Sequence, residues 1–410
     1  MNRALDIHLS GHPIARVLED GVTLTLTYSD QTVDRFGVGG LALSMALPVD
    51  DRPYRGPAVE RWVEGTLPEG EARTLLEDRF SVRRGDTMGL VGAIGADCAG
   101  AVSFLPPDEP FDDGTTPTLL TDQQLAALVQ DLPTVPLGAD LGIPVSLAGL
   151  QAKLPLRMTG DGWTRPTRTA PSTHILKPAP DGRLAGLVVS EAFCLRLAAA
   201  AGVRAAEVDL IDIAGRTTLV VTRFDRAPGP DGFPVRLHQE DGCQALGEPV
   251  TGRAKYQAQT GAGPSYEGLA RLLVTYSRDV DAELAALART MTTTIAIGNT
   301  DAHARNHGFL LGAGVRLAPL YDAATTVNYA TFQGVGLHVA GEHRLDMVSR
   351  PLLELEAASW GLPRKTAAEV VGSTLERLRA ALCDVAAEFR EESLERDVAE
   401  VGRRLERLLV

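Results

Sequence analysis

Asp301, Asn306 and Asp322 are the residues whose types and spacing best fit a chemical task. The first two fall in Gly298-Asn299-Thr300-Asp301-Ala302-His303-Ala304-Arg305-Asn306, and the third ends Leu320-Tyr321-Asp322. An Asp-x-x-x-x-Asn spacing, then a second Asp after a short apolar hairpin, is what a kinase-like phosphoryl-transfer site needs. In such a site the first Asp receives or orients the acceptor hydroxyl. The Asn holds a metal, and the second Asp holds the Mg²⁺ that bridges the nucleotide phosphates. A plainer reading stands beside this one, because Asp and Asn also make turns and cap helices. His303 and His307, four residues apart, admit a zinc-dependent hydrolase as a rival, although Asn306 has no task in it.

A kinase also needs a half that faces the phosphates. Val145-Ser146-Leu147-Ala148-Gly149-Leu150-Gln151-Ala152-Lys153-Leu154 is a small-residue loop entering a strand. Its backbone N–H groups can approach phosphate oxygens closely, and Lys153 adds charge nearby. It is neither a Walker motif nor the Gly-x-Gly-x-x-Gly of ordinary protein kinases. His174-Ile175-Leu176-Lys177-Pro178 sets a lysine on a short apolar strand. There it either reaches nucleotide phosphates or snorkels to solvent along its flexible stem. Glu191 lies in the first turn of the next helix, where it either complements the helix dipole or pairs with Lys177. His238-Gln239-Glu240-Asp241 sits where a connection between lobes belongs, as an acidic turn or as a hinge whose backbone reads an adenine edge.

The elements that must position these residues follow from patterning. Residues 22–28 alternate like a half-buried strand, a helix is read around 72–80, and residues 100–105 read as a further strand. The acidic, proline-containing run 107–117 reads as a linker. Thr121 followed by Gln124 is a capping-box pattern that opens a helix. From Ser146 to about Phe224 the order is strand, strand, helix, strand, strand. After about Glu240 the chain reads as mostly helical, and amphipathic segments at 365–388 and 393–409 close it. The expected class is α+β: a bilobal, protein-kinase-like fold with a β-rich N-lobe and a helical C-lobe, plus an added N-terminal β-rich subdomain. The expected limits are 1–107, 118–240 and 241–410.

Composition narrows the classes. A chain of 410 residues with 44% hydrophobic and 23% charged residues is ordinary for a globular protein with two or three cores. A net charge of −13 argues against a broad nucleic-acid surface and permits a basic partner. Cys98, Cys194, Cys243 and Cys383 form no Cys-x-x-Cys pair, so each is expected to fill a core position. No signal-like N-terminus and no apolar run near ~20 residues is present, which sets a cytoplasmic protein without membrane spans as the expectation.

With these residues in view, the chain resembles the HipA family, the serine/threonine kinase toxins of bacterial toxin–antitoxin modules. On the phosphate side the resemblance rests on Ser146-Leu147-Ala148-Gly149 with Gln151 and Lys153, on Ile175-Leu176-Lys177-Pro178, and on Glu191. Arg223-Phe224-Asp225-Arg226 and His238-Gln239-Glu240-Asp241 with Cys243-Gln244 carry it onward to Gly298–His303, Asn306 and Pro319–Asp322. Leu67-Pro68-Glu69-Gly70 and the strand Gly100–Leu105 fit the family's N-terminal subdomain. The resemblance implies use of ATP and Mg²⁺, with Asp301 as the catalytic residue and Asn306 and Asp322 as metal ligands. Ser146, Ala148, Gly149, Lys153, Lys177, Glu191 and Glu240 would join these two in binding ATP. It also implies autophosphorylation of Ser146 and a protein substrate such as an aminoacyl-tRNA synthetase, glutamyl-tRNA synthetase in the first place. The implied partner is a dimeric helix-turn-helix antitoxin that carries most of the DNA contacts. A catalytically quiet co-repressor scaffold is the alternative from another class. Two positions depart from the family pattern. Gly242 stands where relatives often carry a bulky apolar residue, and His307 where an apolar or aromatic residue is usual.

Overall fold

The computed structural model describes residues 3–21, 23–112, 114–132, 153–229, 233–329, 333–389 and 394–410. Alternation of buried and exposed side chains over Arg3–Leu9 (β1), His12–Asp20 (β2) and Thr23–Tyr28 (β3) gives each strand one core face. With Tyr54–Arg55 (β4) and Val102–Leu105 (β5) they form an antiparallel sheet of order β4-β3-β2-β1-β5. The unit is less strand-dominated than its sequence suggests. Four helices, Asp30–Phe36 (α1), Pro57–Gly65 (α2), Gly70–Arg79 (α3) and Thr87–Ile94 (α4), share it. Only α3 was legible in advance; α4 is apolar almost throughout and so lacks the stripe by which a helix is recognised.

Asp122–Asp131 (α5) begins with the expected capping box. A second antiparallel sheet follows, of order β7-β6-β8-β10-β9, from Leu154–Thr159 (β6), Gly162–Thr164 (β7), His174–Pro178 (β8), Val208–Ile213 (β9) and Arg216–Thr222 (β10). Between β8 and β9 runs Leu187–Ala200 (α6), buried over most of its length. The two sheets share one core: Leu5, Ile7, Trp62 and Phe104 pack in the same cluster as Leu154, Leu156, Leu176 and Val220. The N-terminal unit is therefore built onto the second sheet.

A buried charge knot locks that junction. Arg223 forks onto both oxygens of Asp225 at 2.9 and 2.7 Å and donates to Ser172 Oγ at 2.7 Å. Arg226 reaches Asp97 at 2.9 Å and the Gly100 carbonyl at 2.8 Å, and Arg236 also pairs with Asp97. Asp225 Oδ2 accepts the Gly100 N–H at 2.6 Å, and the flanking guanidinium groups pull its carboxyl down to about 2. Buried charges survive only when paired in this way. Gly100 has φ +72°, and a Cβ there would lie 2.7 Å from the Gln239 nitrogen, so only glycine lets the N-terminal unit approach the lobe junction.

Arg226–Pro228 (β11) and Pro234–Arg236 (β12) make a small hairpin before the junction. His238–Asp241, read as a hinge or acidic turn, is a strand (β13), and Asp241 caps Gly242–Leu246 (α7) through a second capping box. The lobe that follows holds Tyr266–Tyr276 (α8), Val280–Ala296 (α9), Gly308–Leu311 (β14), Arg316–Leu317 (β15), Gly334–Val339 (β16) and Glu342–Arg344 (β17). Arg350–Ser359 (α10), Arg364–Ala387 (α11) and Glu395–Leu409 (α12) complete it, the last two coinciding with the amphipathic segments. β13, β14 and β15 form one small sheet, and β16 pairs with β17. Arg404 of α12 is fully buried and donates to the Ile295 carbonyl at 2.9 Å, bracing the end of α9 just before the Asp301 loop. Cys98, Cys194 and Cys243 are core residues, whereas Cys383 is exposed, because it falls on the solvent side of α11.

Candidate active site

α9 ends at Ala296, and Gly298 turns the chain out of the helix with φ +73°. The loop that follows is tied by its own side chains. Asn299 Oδ1 accepts the Asp301 N–H at 3.0 Å, and Asn306 Nδ2 donates to the Asp301 carbonyl at 2.8 Å. Asn306 thus closes the loop with its amide nitrogen, and its Oδ1 accepts no hydrogen bond among the described residues. The Asp301 side chain is 48% exposed. Its Oδ1 accepts from the Tyr256 hydroxyl, and its Oδ2 has no hydrogen bond among the described residues. Partial burial pushes its carboxyl up, the Tyr256 hydrogen bond pulls it down, and the charge of Asp322 pushes it up again.

β14 and β15 pair as the expected hairpin, with Phe309 opposite Leu317 and Leu310 opposite Arg316. Beyond it, Leu320 exchanges backbone hydrogen bonds of 2.8 Å with Arg204 and Ala206, on the connection between α6 and β9. The Tyr321 hydroxyl donates to the Arg305 carbonyl at 2.7 Å. These two ties hold Asp322 between the lobes. Asp322 itself has φ +53°, a left-handed conformation that Asp and Asn tolerate better than most residues.

Lys177 of β8 meets Glu191, the partner that the sequence offered for it, and also Asp322, a pairing that the sequence did not signal. Its Nζ lies 2.8 and 3.0 Å from the two oxygens of Glu191, on α6, and 2.9 Å from Asp322 Oδ1. The alternatives of a snorkelling lysine and a merely dipole-compensating glutamate do not hold, because both side chains are buried against each other. Lys177 holds the Asp322 carboxyl far below the usual carboxylate range, and the two carboxylates keep the ammonium charged despite its burial. Lys153, at the mouth of β6, is buried in the same field. Desolvation and the neighbouring Lys177 push its pKa down to about 8. Ser146, Ala148 and Gly149 lie outside the described residues.

Glu240 is placed differently from a nucleotide-binding side chain. Its carboxylate turns into the N-terminal unit, accepting from Ser44 Oγ at 2.6 Å and from the Met45 N–H at 2.7 Å. Burial pushes its carboxyl up to about 8. Its main chain lies opposite Phe309 in the β13–β14 ladder, and the Gly242 N–H is bonded to the His307 carbonyl at 2.8 Å.

The matches to known proteins extend over both halves of this site. Residues 145–382 match the HipA-like C-terminal domain, and residues 5–105 match the HipA N-terminal domain. The chain belongs to the HipA family. Y4mE of Sinorhizobium fredii, whose name places it among kinases, is 32% identical over 401 residues, covering 93% of this chain and 92% of that one. The serine/threonine-protein kinase toxin HipA of Shewanella oneidensis is 28% identical over 375 residues, covering 87% and 85%. The HipA chain in the Shewanella oneidensis complex of HipA, HipB and operator DNA superposes with a TM-score of 0.84. That match has 26% identity and covers 99% of this chain and 97% of the other. The chain is accordingly a protein kinase of the HipA type, with the bilobal α+β fold that its sequence predicts.

Against that family pattern, the two departures have local causes. At Gly242 a Cβ would lie 2.6 Å from the Ala304 carbonyl oxygen and 2.8 Å from Leu269 Cδ2, so α7 and the Asp301 loop touch backbone to backbone. His307 is buried, with Nδ1 3.1 Å from the His303 carbonyl and its ring edge-on to Tyr266. His303 instead packs edge-on to Tyr256. The two imidazoles serve different aromatic neighbours, and no group of three His, Cys, Asp or Glu suited to a metal occurs among the described residues, which removes the support for a zinc hydrolase. The oxygen donors of Asn306 and Asp322 do suit Mg²⁺. Both are hard ligands, and neither Asn306 Oδ1 nor Asp322 Oδ2 has a hydrogen-bond partner among the described residues.

Sequence reasoning missed three residues of this site: Tyr256, Lys255 and Arg305. Arg305 is buried, with Nε 2.9 Å from Asp241 Oδ2, Nη2 2.7 Å from the Gly65 carbonyl and Nη1 on Glu69. Lys255 Nζ lies 3.1 Å from the other Glu69 oxygen. Nothing local signals these roles, since each partner is more than 40 positions away.

Proposed function

We propose that the chain is an ATP- and Mg²⁺-dependent serine/threonine kinase acting as the toxin of a toxin–antitoxin module. The observation that carries this reading is Lys177, which bridges Glu191 and Asp322 across the two lobes. An ammonium so placed, with Lys153 beside it, suits the phosphates of a nucleotide. Asp322 and Asn306 would hold Mg²⁺, which supplies neutralisation of phosphate charge when bound. Asp301 presents its unbonded Oδ2 to the acceptor hydroxyl, orients it, and takes its proton as the phosphoryl group transfers.

The finer assignments follow the family. The protein substrate is an aminoacyl-tRNA synthetase, with glutamyl-tRNA synthetase the first to test, and the enzyme works in the cytoplasm. Ser146 is the autophosphorylation site. A phosphate there adds about −1.5 to −2 charge where nucleotide phosphates belong, and so ejects the loop and silences the enzyme. The solved relative assembled with HipB and operator DNA supports a HipB-like helix-turn-helix antitoxin as partner. DNA contacts would then rest mainly with that antitoxin, in keeping with the net charge of −13. Incubation with labelled ATP and Mg²⁺, followed by mass mapping, tests the reading. Absence of label from Ser146 and from every offered protein would sink it.

A further inference from the structure

The N-terminal unit supplies one side chain that reaches the catalytic loop from outside the kinase lobes. Glu69, at the start of α3, is 6% exposed and holds two cations. Its Oε1 takes the Arg305 guanidinium and its Oε2 takes Lys255 at 3.1 Å. Arg305 sits one residue before Asn306, and Lys255 one residue before Tyr256, whose hydroxyl donates to Asp301 Oδ1. One carboxylate therefore anchors both flanks of Asp301.

We propose that Glu69 is a positioning residue for Asp301, acting through Arg305 on one side and through Lys255 and Tyr256 on the other. The proposal rests on the reading that Asp301 orients the acceptor hydroxyl. Charge balance gives it force. Glu69 and Asp241 carry two negative charges against the two positive charges of Arg305 and Lys255, all four side chains being at most a tenth exposed. Without Glu69, one cation is left unpaired in a buried site. Arg305 retains Asp241 and the Gly65 carbonyl, so the weaker link is Lys255. It lies on an otherwise exposed turn, 252–255, and has a flexible stem that can carry its charge to solvent. As Lys255 leaves, Tyr256 goes with it. The Asp301 carboxylate then loses the bond that fixes Oδ1 and directs Oδ2 outward. The nucleotide side, Lys177 with Glu191, shares no residue with this network.

The experiment uses full-length wild type, Glu69→Gln, Tyr256→Phe and the double variant. Autophosphorylation is followed with labelled ATP and Mg²⁺ at saturating nucleotide, and nucleotide binding by calorimetry, whose stoichiometry counts folded molecules. Each single variant is expected to lose about 10- to 100-fold in rate, the scale of a misplaced reacting group, with nucleotide affinity and stoichiometry within about twofold. The double variant should fall no more than about twofold below the slower single one, because both act on the same carboxylate. A wild-type rate in either single variant overturns the proposal. So does a loss of rate matched by loss of binding stoichiometry, or a multiplicative loss in the double variant. Tyr256→Phe removes a single hydroxyl and keeps the test valid if Glu69→Gln fails to fold. Wild type that takes up no label defeats the underlying reading and the proposal with it. Labelled wild type with an equally fast Glu69→Gln defeats the proposal alone.

Discussion

Replacing Lys177 by Met separates what the lysine does for the fold from what it does for phosphoryl transfer. Its ammonium makes three contacts of 2.8 to 3.0 Å with two carboxylates. At an effective dielectric of about 20, each charge pair at that range attracts by roughly 6 kcal/mol before desolvation is counted. Desolvation offsets most of this, but removing one partner strands Glu191 inside the protein, and breaking a buried pair costs about 3–5 kcal/mol. At about 2 °C per kcal/mol, Lys177→Met should lower Tm by about 6–10 °C. Phosphotransfer should fall by about 10²- to 10³-fold, the scale of losing one aimed positive group. The double variant Lys177→Met/Glu191→Met removes the stranded charge and fills its space with apolar volume. It should recover most of the stability and none of the activity, since Asp322 is 39% exposed and can be solvated by itself. Differential scanning fluorimetry and initial rates with labelled ATP measure the two effects. Recovery of activity along with Tm would refute the argument and leave Lys177 a structural ion.

Three further outcomes are expected. Asp301→Asn and Asp322→Asn should each abolish label transfer with Tm within a few degrees of wild type. Asn keeps the left-handed backbone at 322, where Asp322→Ala would add strain; transfer surviving in Asp322→Asn would contradict the assignment. Gly242→Ala should lose about 1–3 kcal/mol in urea unfolding and slow the kinase, because its Cβ forces the Asp301 loop away from α7; an unchanged midpoint and rate would remove that packing argument. His238 is buried neutral, with Nε2 on the Leu43 carbonyl at 2.7 Å and Nδ1 facing the Ala101 N–H, and burial holds its pKa down at about 4. Its contribution to stability is therefore present above an unfolded value of about 6.5 and lost as pH falls toward 4. Urea unfolding should show about 2 kcal/mol less stability from this residue at pH 5 than at pH 7.5. An equal pH dependence in His238→Gln would show that the loss arises elsewhere.

Local sequence signals carry through into the structure. Thr121 and Gln124 form their capping box, the closing amphipathic segments are α11 and α12, and the hairpin between Asn306 and Asp322 pairs as expected. The resemblance to the HipA family, carried by short motifs, predicts the bilobal fold. Less was legible where burial removes the alternation of polar and apolar residues. The helix α4 is one case, and β13, whose His238-Gln239-Glu240-Asp241 reads as polar yet is largely buried, is another.

By itself, the sequence determined the inventory of chemistry: Asp301, Asn306 and Asp322 on one short stretch, with Lys177 and Glu191 on a neighbouring strand and helix. Each depends on spacing, turn formation or helix initiation, which act over a few residues. Only the tertiary structure decided which charges meet. Lys177 finds Asp322 across 145 positions, and Arg305 finds Glu69 across 236. With 53 acidic and 40 basic residues, composition leaves thousands of pairings open. Burial selects among them, because a charge withdrawn from water must meet its counter-charge wherever the fold brings the two together.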